Sequence, residues 1–231
     1  MQTILITGAN RGLGLEFCRQ YAVAGHQVIA VCRQPAKATT LNELAKQHAN
    51  MQIHALDVGD FSQITTLSHT LAEVSIDVLI NNAGIYPDNA ETGFGQLNYQ
   101  DWSQAFWVNS IAPVKLAEAF LPQIQRSSKK LVVSISSLMG SVSDNTSGGS
   151  LLYRSSKAAL NAAMKSLAIE LAPLGIGVLI FHPGWVKTDM GGKNALIDAL
   201  ESVTGMRQCI DGFLAEQSGN FLKYDGKPLP W

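Results

Sequence analysis

The stretch Thr7-Gly8-Ala9-Asn10-Arg11-Gly12-Leu13-Gly14 follows an apolar run at residues 4–6 and precedes a helix predicted over residues 15–23. The apolar run is typical of a buried strand, so the three glycines fall in a strand-to-helix turn. Glycine lets the backbone turn tightly and lets a ligand lie against it. The N–H groups at a helix start, together with the helix dipole, attract an anion. The stretch therefore predicts a phosphate site.

The spacing of this turn is G-x-x-x-G-x-G, which differs from the commoner G-x-G-x-x-G fingerprint. No Gly-Lys-Ser/Thr comes after it, so the turn is not a P-loop. A tight turn without a ligand is the alternative interpretation of the glycines taken alone.

Composition limits the class of protein. The chain has 231 residues, 46% of them hydrophobic and 15% charged, which is enough for a full core. Its net charge of −1, without a long basic run, argues against nucleic acid or a membrane surface as the main partner. Cys18, Cys32 and Cys209 are widely spaced, which indicates a reducing compartment. Neither these cysteines nor the five scattered histidines have the spacing of metal ligands, so we expect no metal site. We find no targeting signal and expect a cytoplasmic protein.

Apolar strand patterns alternate with helical patterns through residue 181, without a linker or an internal repeat. This order predicts a single α/β domain over residues 1–231, a Rossmann-type doubly wound fold with a mostly parallel seven-stranded sheet and helices on both faces. Further strands are expected at residues 27–32, 51–56, 76–80, 130–135, 175–181 and 220–223. Helices are expected at residues 41–48, 61–73, 102–126 and 153–172, with two short ones at 194–203 and 206–214 hinged at Gly191-Gly192 and Gly205.

The residues after the second strand favour NADP over NAD. An NAD enzyme often carries an acid about 20 residues beyond its glycines to hold the ribose 2′-hydroxyl. Here no acid occurs between Glu16 and Glu43, and Arg33 stands just past the strand. Arg33, with Arg11 in the turn, is placed to meet a 2′-phosphate. A solvated strand-end residue is the alternative for Arg33.

Polar or small residues come after three other strands, at the edge where a parallel sheet binds ligands. Asp57-Val58 follows the third strand; Asp57 can reach an adenine or cap the next helix. Asn81-Asn82-Ala83-Gly84 follows the fourth strand, and a loop at residues 85–98 comes next. Pro183-Gly184 begins the loop after the sixth strand.

Two features of the second half suggest chemistry. Pro113 lies inside the long predicted helix, and its missing N–H frees the carbonyl of Asn109; a simple kink is the alternative. Tyr153 and Lys157 are four residues apart, so they share one helix face. Ser137 precedes Tyr153 by 16 residues, across a loop rich in Ser and Gly.

Several motifs of the chain, taken together, resemble those of the short-chain dehydrogenase/reductase family, in order and at family-like spacings. They are Thr7–Gly14, Asn81–Gly84, Asn109, Ser137, Tyr153-x-x-x-Lys157 and Pro183-Gly184. The resemblance runs from residue 1 to at least Thr188. The segments from Tyr153, from His182 and from Tyr224 to Trp231 are most similar to the C-factor and sniffer-type carbonyl reductases of that family.

The resemblance implies that Tyr153 is the general acid for carbonyl reduction and Ser137 a hydrogen-bond donor to the carbonyl. Ser137 is preferred to Ser136 because the family's serine lies three residues before the glycine, here Gly140. Lys157 is expected to favour the phenolate of Tyr153, whose free pKa is about 10. Asn109 would hold a water beside Lys157 through its main-chain carbonyl. The expected cofactor contacts are Gly8, Asn10, Arg11, Gly12, Leu13, Gly14, Arg33, Asp57, Val58, Asn81, Ala83, Gly84, Tyr153, Lys157, Pro183, Gly184, Val186 and Thr188.

The expected function is NADPH-dependent reduction of a ketone, aldehyde or quinone to an alcohol. The alternatives are a C-factor-like signalling protein that binds the dinucleotide with little turnover, and, less favoured, isomerisation or dehydration. The substrate pocket is expected between the loops 85–98 and 141–152 and a lid at about 190–214. Trp185 and Met190 line this pocket or pack a hinge. The helices 102–126 and 153–172 are expected to form a homodimer or homotetramer contact, although the Ala-rich second helix can also pack inside the fold.

Overall fold

The computed structural model describes residues 1–89 and 93–231, and within them seven parallel strands form one sheet in the order β3-β2-β1-β4-β5-β6-β7. The predicted α/β fold with helices on both faces is therefore confirmed, and the sheet is parallel throughout. The strands are β1 (Thr3–Thr7), β2 (Gln27–Cys32), β3 (Met51–Ala55), β4 (Val78–Asn81), β5 (Leu131–Ile135), β6 (Gly177–His182) and β7 (Asn220–Lys223). The helices are α1 (Gly12–Val23), α2 (Thr39–Gln47), α3 (Phe61–Thr70), α4 (Tyr99–Phe106), α5 (Ala112–Ala119), α6 (Leu121–Gln125), α7 (Leu151–Leu171) and α8 (Ala199–Asp211).

The central strands are apolar runs because both of their faces are covered. In β1, Ile4 and Ile6 pack with α1 and α8 on one face, whereas Leu5 packs with α5 and α7 on the other. This alternation, repeated along β4, β5 and β6, gives the sheet a hydrophobic core on either side.

The strand order reverses between β1 and β4, because β1 connects outward to β2 while β4 starts the other half of the sheet. Such a switch opens a crevice at the carboxyl ends of the strands. The turn after β1 and the residues after β4 therefore meet at one edge of the sheet.

The helix predicted over residues 102–126 is interrupted. α4 is followed by a π-helical turn, Trp107–Ile111, in which the N–H of Ala112 bonds the carbonyl of Trp107. The turn ends just before Pro113, whose missing N–H cannot continue the α-helical pattern. α5 and α6 come next, with a break at Phe120.

The prediction of two short helices near the C-terminus is wrong. A single helix, α8, runs through Gly205, so Gly205 is not a hinge. A Cβ at Gly205 would lie 2.5 Å from the main-chain oxygen of Tyr224. The glycine is therefore explained by close packing of α8 against the segment after β7.

Within residues 1–89 and 93–231, no helix is long and apolar enough to span a membrane. In the same part of the chain no group of three or more His, Cys, Asp or Glu side chains is arranged to hold a metal ion.

We expect Gly205→Ala to destabilise the fold by about 1–3 kcal/mol, because the new methyl meets backbone that cannot move aside cheaply. This cost exceeds the roughly 1 kcal/mol by which Ala is preferred to Gly in a helix. The measurement is urea unfolding. Gly93→Ala is the control, since its Cβ would meet no atom within 4 Å. Equal stability of both variants would contradict the packing explanation.

Candidate active site

The glycine turn is a place of very close backbone approach. A Cβ at Gly14 would lie 2.2 Å from the carbonyl oxygen of Gly8, so no side chain fits there. Gly8 and Gly12 have φ angles of 65° and 54°, a conformation that L-residues with side chains rarely adopt. The start of α1 is therefore pressed against the end of β1.

Asn82 and Thr7 join the ends of β1 and β4. The Asn82 side chain donates to the carbonyls of Thr7 and Gly8, at 2.8 and 3.2 Å. The Thr7 hydroxyl accepts from the main-chain N–H groups of Asn82 and Ala83, both at 3.0 Å. These bonds fix the backbone of the crevice, and Asn82 is a residue that the sequence analysis did not select.

The N-terminus of α1 fits an anion. Among the described residues, no side chain caps this helix, whose N-cap is Arg11. By contrast, α3, α4 and α8 are capped by Asp60, Asn98 and Asp198. Uncapped first-turn N–H groups at the positive end of a helix dipole suit a diphosphate. The glycine turn thus has the shape and the donors that a dinucleotide needs.

Two arginines, Arg11 in this turn and Arg33 after β2, differ in whether their side chains have a partner. Arg11 forms an exposed ion pair with Asp189, with Nη1 and Oδ2 2.5 Å apart. Arg33 follows β2 and is exposed; no hydrogen bond or ion pair engages its side chain within the described residues. Arg33 is therefore available to an added anion, whereas Arg11 must first leave Asp189.

Tyr153 and Lys157 lie together on the buried face of α7, at 7% and 4% exposure. The Lys157 Nζ is 5.7 Å from the centroid of the Tyr153 ring. Burial raises the pKa of Tyr153 to about 12, although a hydrogen bond from Ser137 opposes this rise and Tyr86 adds to it. The phenol is therefore firmly protonated at neutral pH.

The Lys157 ammonium is held by a main-chain group. Its Nζ donates to the carbonyl of Ile135 at 2.9 Å. Burial lowers the pKa of Lys157 itself to about 8. A lysine with this pKa exchanges protons readily near neutrality.

The two serines after β5 face different neighbours. The Ser137 side chain lies close enough to Tyr153 to lower the pKa of its phenol, and the Ser137 hydroxyl accepts from the N–H of Met139 at 3.1 Å. The Ser136 hydroxyl instead donates to Asn161 at 2.6 Å inside the core. The structure therefore brings Ser137, and not Ser136, to the tyrosine.

Asn109 sits in the middle of the π-helical turn, and its side chain is fully used. The amide accepts from the N–H of Ile85 at 2.8 Å and donates to the Ile85 carbonyl at 2.9 Å. It also donates to the Ser156 hydroxyl at 3.0 Å. Gly84 lies beside both Asn109 and Lys157, since its Cβ would be 3.1 Å from Asn109 Oδ1 and 3.6 Å from Lys157 Nζ.

Asp57 and Asn81 both form hydrogen bonds within the fold. Asp57 does not cap α3, because Asp60 does; the Asp57 carboxylate accepts from the N–H of Gly59 at 2.9 Å. The Asn81 side chain is buried and directed to Ser134 and the carbonyl of Pro113, away from the glycine turn. Val58 is buried in the core beside them.

The loop after β6 reaches the glycine turn. A Cβ at Gly12 would lie 3.3 Å from Thr188 Cγ2. Val186 is buried and forms a bridge with Ile197, and the Pro183 carbonyl accepts from Ser202 at 2.6 Å. Gly184 has a φ of 84°. The loop at residues 185–197 is thus held at its base, and Thr188 brings it next to the glycine turn.

Two further residues that the sequence analysis missed contact the start of α7. The Tyr86 ring packs on Tyr153, with centroids 4.7 Å apart, and the Asp88 carboxylate accepts from the N–H groups of Leu152 and Tyr153. No local pattern announces these contacts, because they join residues more than 60 positions apart.

A cavity of about 440 Å³ lies beside the site, between the segment from Gly93 and the loop at residues 139–150. On α7 it is lined by Arg154, Ser155 and Ala158, so it opens on another face of the helix from Tyr153. Residues 90–92 of the predicted pocket loop lie outside the described part. Trp185 and Met190 are about half exposed, so neither packs a buried hinge.

Comparisons with known proteins identify the family of this chain. A family model for short chain dehydrogenases matches residues 2–196. The protein named C-signal from Myxococcus xanthus is 42% identical over 156 residues, 68% of this chain and 93% of that protein. The structure of carbonyl reductase Sniffer of D. melanogaster has a TM-score of 0.93 and 36% identity, with 100% of both chains covered. An NADPH-bound carbonyl reductase from chicken fatty liver has a TM-score of 0.93 and 34% identity, covering 100% of this chain and 99% of that one.

We expect the buried Lys157 to make stability rise with pH. Because its pKa falls from 10.5 to about 8 on folding, the folded chain binds fewer protons than the unfolded chain between these values. The cost of burying the charge is fully present below pH 8 and is relieved as the pH approaches 10.5. It amounts to roughly 3 kcal/mol at most.

The measurement is chemical unfolding from pH 7 to 10.5 of the wild type and Lys157→Met. The wild type should gain stability relative to this variant across the upper part of the range. Lys46→Met on the exposed side of α2 is the control and should behave like the wild type. Parallel curves for all three proteins would show that Lys157 is not buried as a charge.

Proposed function

The chain belongs to the short-chain dehydrogenase family of oxidoreductases, close to the C-factor and sniffer types, and on this premise we propose that it is an NADPH-dependent carbonyl reductase. The proposed reaction converts a ketone, aldehyde or quinone to an alcohol. The observation that carries the proposal is the placement of Ser137 beside the buried Tyr153, with Lys157 one helical turn away.

The nicotinamide ring, when bound, supplies the hydride. The protein supplies the proton and the hydrogen bonds. Tyr153 is held as the neutral phenol by burial, which is the form that a general acid requires. The carbonyl oxygen would take the place between the hydroxyls of Ser137 and Tyr153. Ser137 then stabilises the developing negative charge, and Tyr153 donates its proton to the same oxygen.

Lys157 is proposed to restore the proton of Tyr153 after each reaction. Its lowered pKa, about 8, lets it release and regain a proton near neutral pH. The carbonyl of Ile135 holds the ammonium in place. The Asn109 main-chain carbonyl is proposed to hold a water that connects Lys157 with solvent, a role supported by the unusual π-helical turn around it.

NADPH is the proposed cofactor in preference to NADH. The residues proposed to contact it are those of the sequence analysis, to which we add Asn82 because its amide bonds the carbonyls of Thr7 and Gly8 in the glycine turn. Arg33 and Arg11 would bind the 2′-phosphate, since the unengaged Arg33 adds a positive charge where an NAD-specific site would place an acid.

Three broader features remain proposals. The segment at about 190–214 is proposed to cover the substrate, although α8 within it also packs in the core through Val203 and Met206. A homodimer or homotetramer through α4, α5 and α7 is supported by exposed Tyr99, Ile111 and Ile169 on or beside these helices. A cytoplasmic location is supported by three cysteines that form no disulfide among the described residues.

A signalling or regulatory protein that binds the dinucleotide with little turnover is the second candidate. The similarity to the protein named C-signal favours it. The complete set of Ser137, Tyr153 and Lys157 at the crevice favours catalysis instead. Tight NADPH binding without turnover of any carbonyl compound would support the second candidate.

We expect Tyr153→Phe to lower carbonyl reduction by about a hundredfold or more, because the proton donor is lost while the ring is kept. NADPH affinity should change little. The measurement is NADPH oxidation with a panel of ketones, aldehydes and quinones, beside a binding titration. Tyr99→Phe, at an exposed tyrosine of α4, is the control and should keep full activity. Unchanged turnover in Tyr153→Phe would refute the assignment of the acid.

For the cofactor we expect Arg33→Ala to weaken NADPH binding roughly tenfold and to leave NADH binding unchanged, because a charge-assisted hydrogen bond is lost. Asp189→Asn should strengthen NADPH binding by up to about fivefold, since it frees Arg11 from an exposed ion pair. In an Arg11→Ala background the Asp189→Asn effect should vanish. Binding titrations test both expectations, and a wild-type preference for NADH would overturn the role of Arg33.

A further inference from the structure

The segment Ile85–Asp88 contacts the first turn of α7, the helix that carries Tyr153. The Asp88 carboxylate accepts from the N–H of Leu152 through Oδ1 at 3.1 Å and from the N–H of Tyr153 through Oδ2 at 2.7 Å. Asp88 therefore satisfies two of the four N–H groups that an α-helix leaves free at its start. One of these two groups belongs to the tyrosine itself.

The helix has no local residue that can do this. Its N-cap, Ser150, has a φ of 43° and makes no side-chain cap, and the two residues before it, Gly148 and Gly149, also have positive φ angles. A non-glycine residue in the left-handed region is strained. The chain thus enters α7 through an irregular turn, and the cap comes from a loop 65 residues earlier.

Tyr86 makes a second contact with the same turn. Its hydroxyl is hydrogen-bonded with the Ser150 hydroxyl at 2.6 Å, which holds the strained N-cap. Its ring packs on the Tyr153 ring at 4.7 Å, with an interplanar angle of 52°. Tyr86 and Asp88 therefore contact three parts of the start of α7: the N-cap Ser150, the main-chain N–H of Tyr153 and the Tyr153 ring.

The other end of the segment is anchored to the π-helical turn. The Asn109 amide bonds both the N–H and the carbonyl of Ile85, and it reaches the Ser156 hydroxyl on α7. A closed path of contacts runs from Asn109 through Ile85, Tyr86 and Asp88 to Tyr153, and returns to Asn109 through Ser156.

We propose that Asp88 is a positioning residue for Tyr153, and that its carboxylate holds the first turn of α7 so that the phenol stays beside Ser137. The inference rests on the proposed role of Tyr153 as the general acid. A helix frays from its ends, and Tyr153 is the third residue of α7. A proton donor in this place needs a cap, because small displacements of reacting groups reduce rates steeply.

The experiment compares three variants of the full chain. Asp88→Ala removes both acceptors, and Asp88→Asn keeps one oxygen that can face the N–H of Tyr153. Asp60→Ala is the matched control, because Asp60 caps α3 with two main-chain N–H bonds and forms no hydrogen bond with α7 among the described residues. For each protein, kcat and KM for a carbonyl substrate, NADPH affinity, thermal stability and amide hydrogen exchange are measured.

In Asp88→Ala we expect kcat to fall roughly tenfold or more, with NADPH affinity within about twofold of the wild type. Exchange of the Leu152 and Tyr153 amides should become faster. Asp88→Asn should recover a large part of kcat, because a charged cap is not needed for position. Asp60→Ala should lose a similar amount of thermal stability and keep kcat within about twofold.

An equal loss of kcat in Asp60→Ala and Asp88→Ala would overturn the proposal, since the effect would then be general destabilisation. Unchanged kcat and unchanged exchange in Asp88→Ala would overturn it as well. A wild type that binds NADPH but reduces no carbonyl compound would refute the proposed function. In that case the exchange rates at Leu152 and Tyr153 decide whether Asp88 is the cap of the helix.

Discussion

The close contact between the start of α1 and the end of β1 is the constraint on which the rest of the site depends. Gly14 lies against the Gly8 carbonyl at a distance that admits no side chain, and Asn82 ties the same carbonyl to the end of β4. These contacts keep the first N–H groups of α1 directed into the crevice. They also hold the carboxyl ends of β1 and β4 side by side. The other functional groups are placed relative to that edge of the sheet, because they lie at or beside the ends of its strands.

The burial of Lys157 beside Tyr153 carries a cost in stability. An ammonium enclosed by α7 and β5 is destabilising, and one carbonyl, that of Ile135, offsets only part of this cost. The same burial keeps the phenol protonated and brings the lysine pKa close to neutrality. A pair of groups with opposite pKa shifts, one turn apart, is typical of a site that transfers protons.

The sequence predicted those parts of the molecule that local patterns determine. The alternation of apolar runs and helices indicated the parallel sheet, and the family resemblance indicated the residues that the crevice brings together. Contacts between distant segments could not be predicted. Gly205 resembled a hinge because the contact that requires a glycine there, with the Tyr224 carbonyl, involves a residue elsewhere in the chain. The partner of Lys157, the inward direction of Asn81 and the cap supplied by Asp88 were missed for the same reason: each depends on tertiary packing.

The π-helical turn at Trp107–Ile111 has a consequence for the evolution of the chain length. A π turn holds one residue more than an α-helical turn, so it is in effect a single-residue insertion. Deleting one residue there would yield a more regular helix and would change the directions of the side chains within the turn, Asn109 included. Asn109 would then lose Ile85 and Ser156 together. A more regular helix would therefore remove the link that joins α7 to the segment after β4.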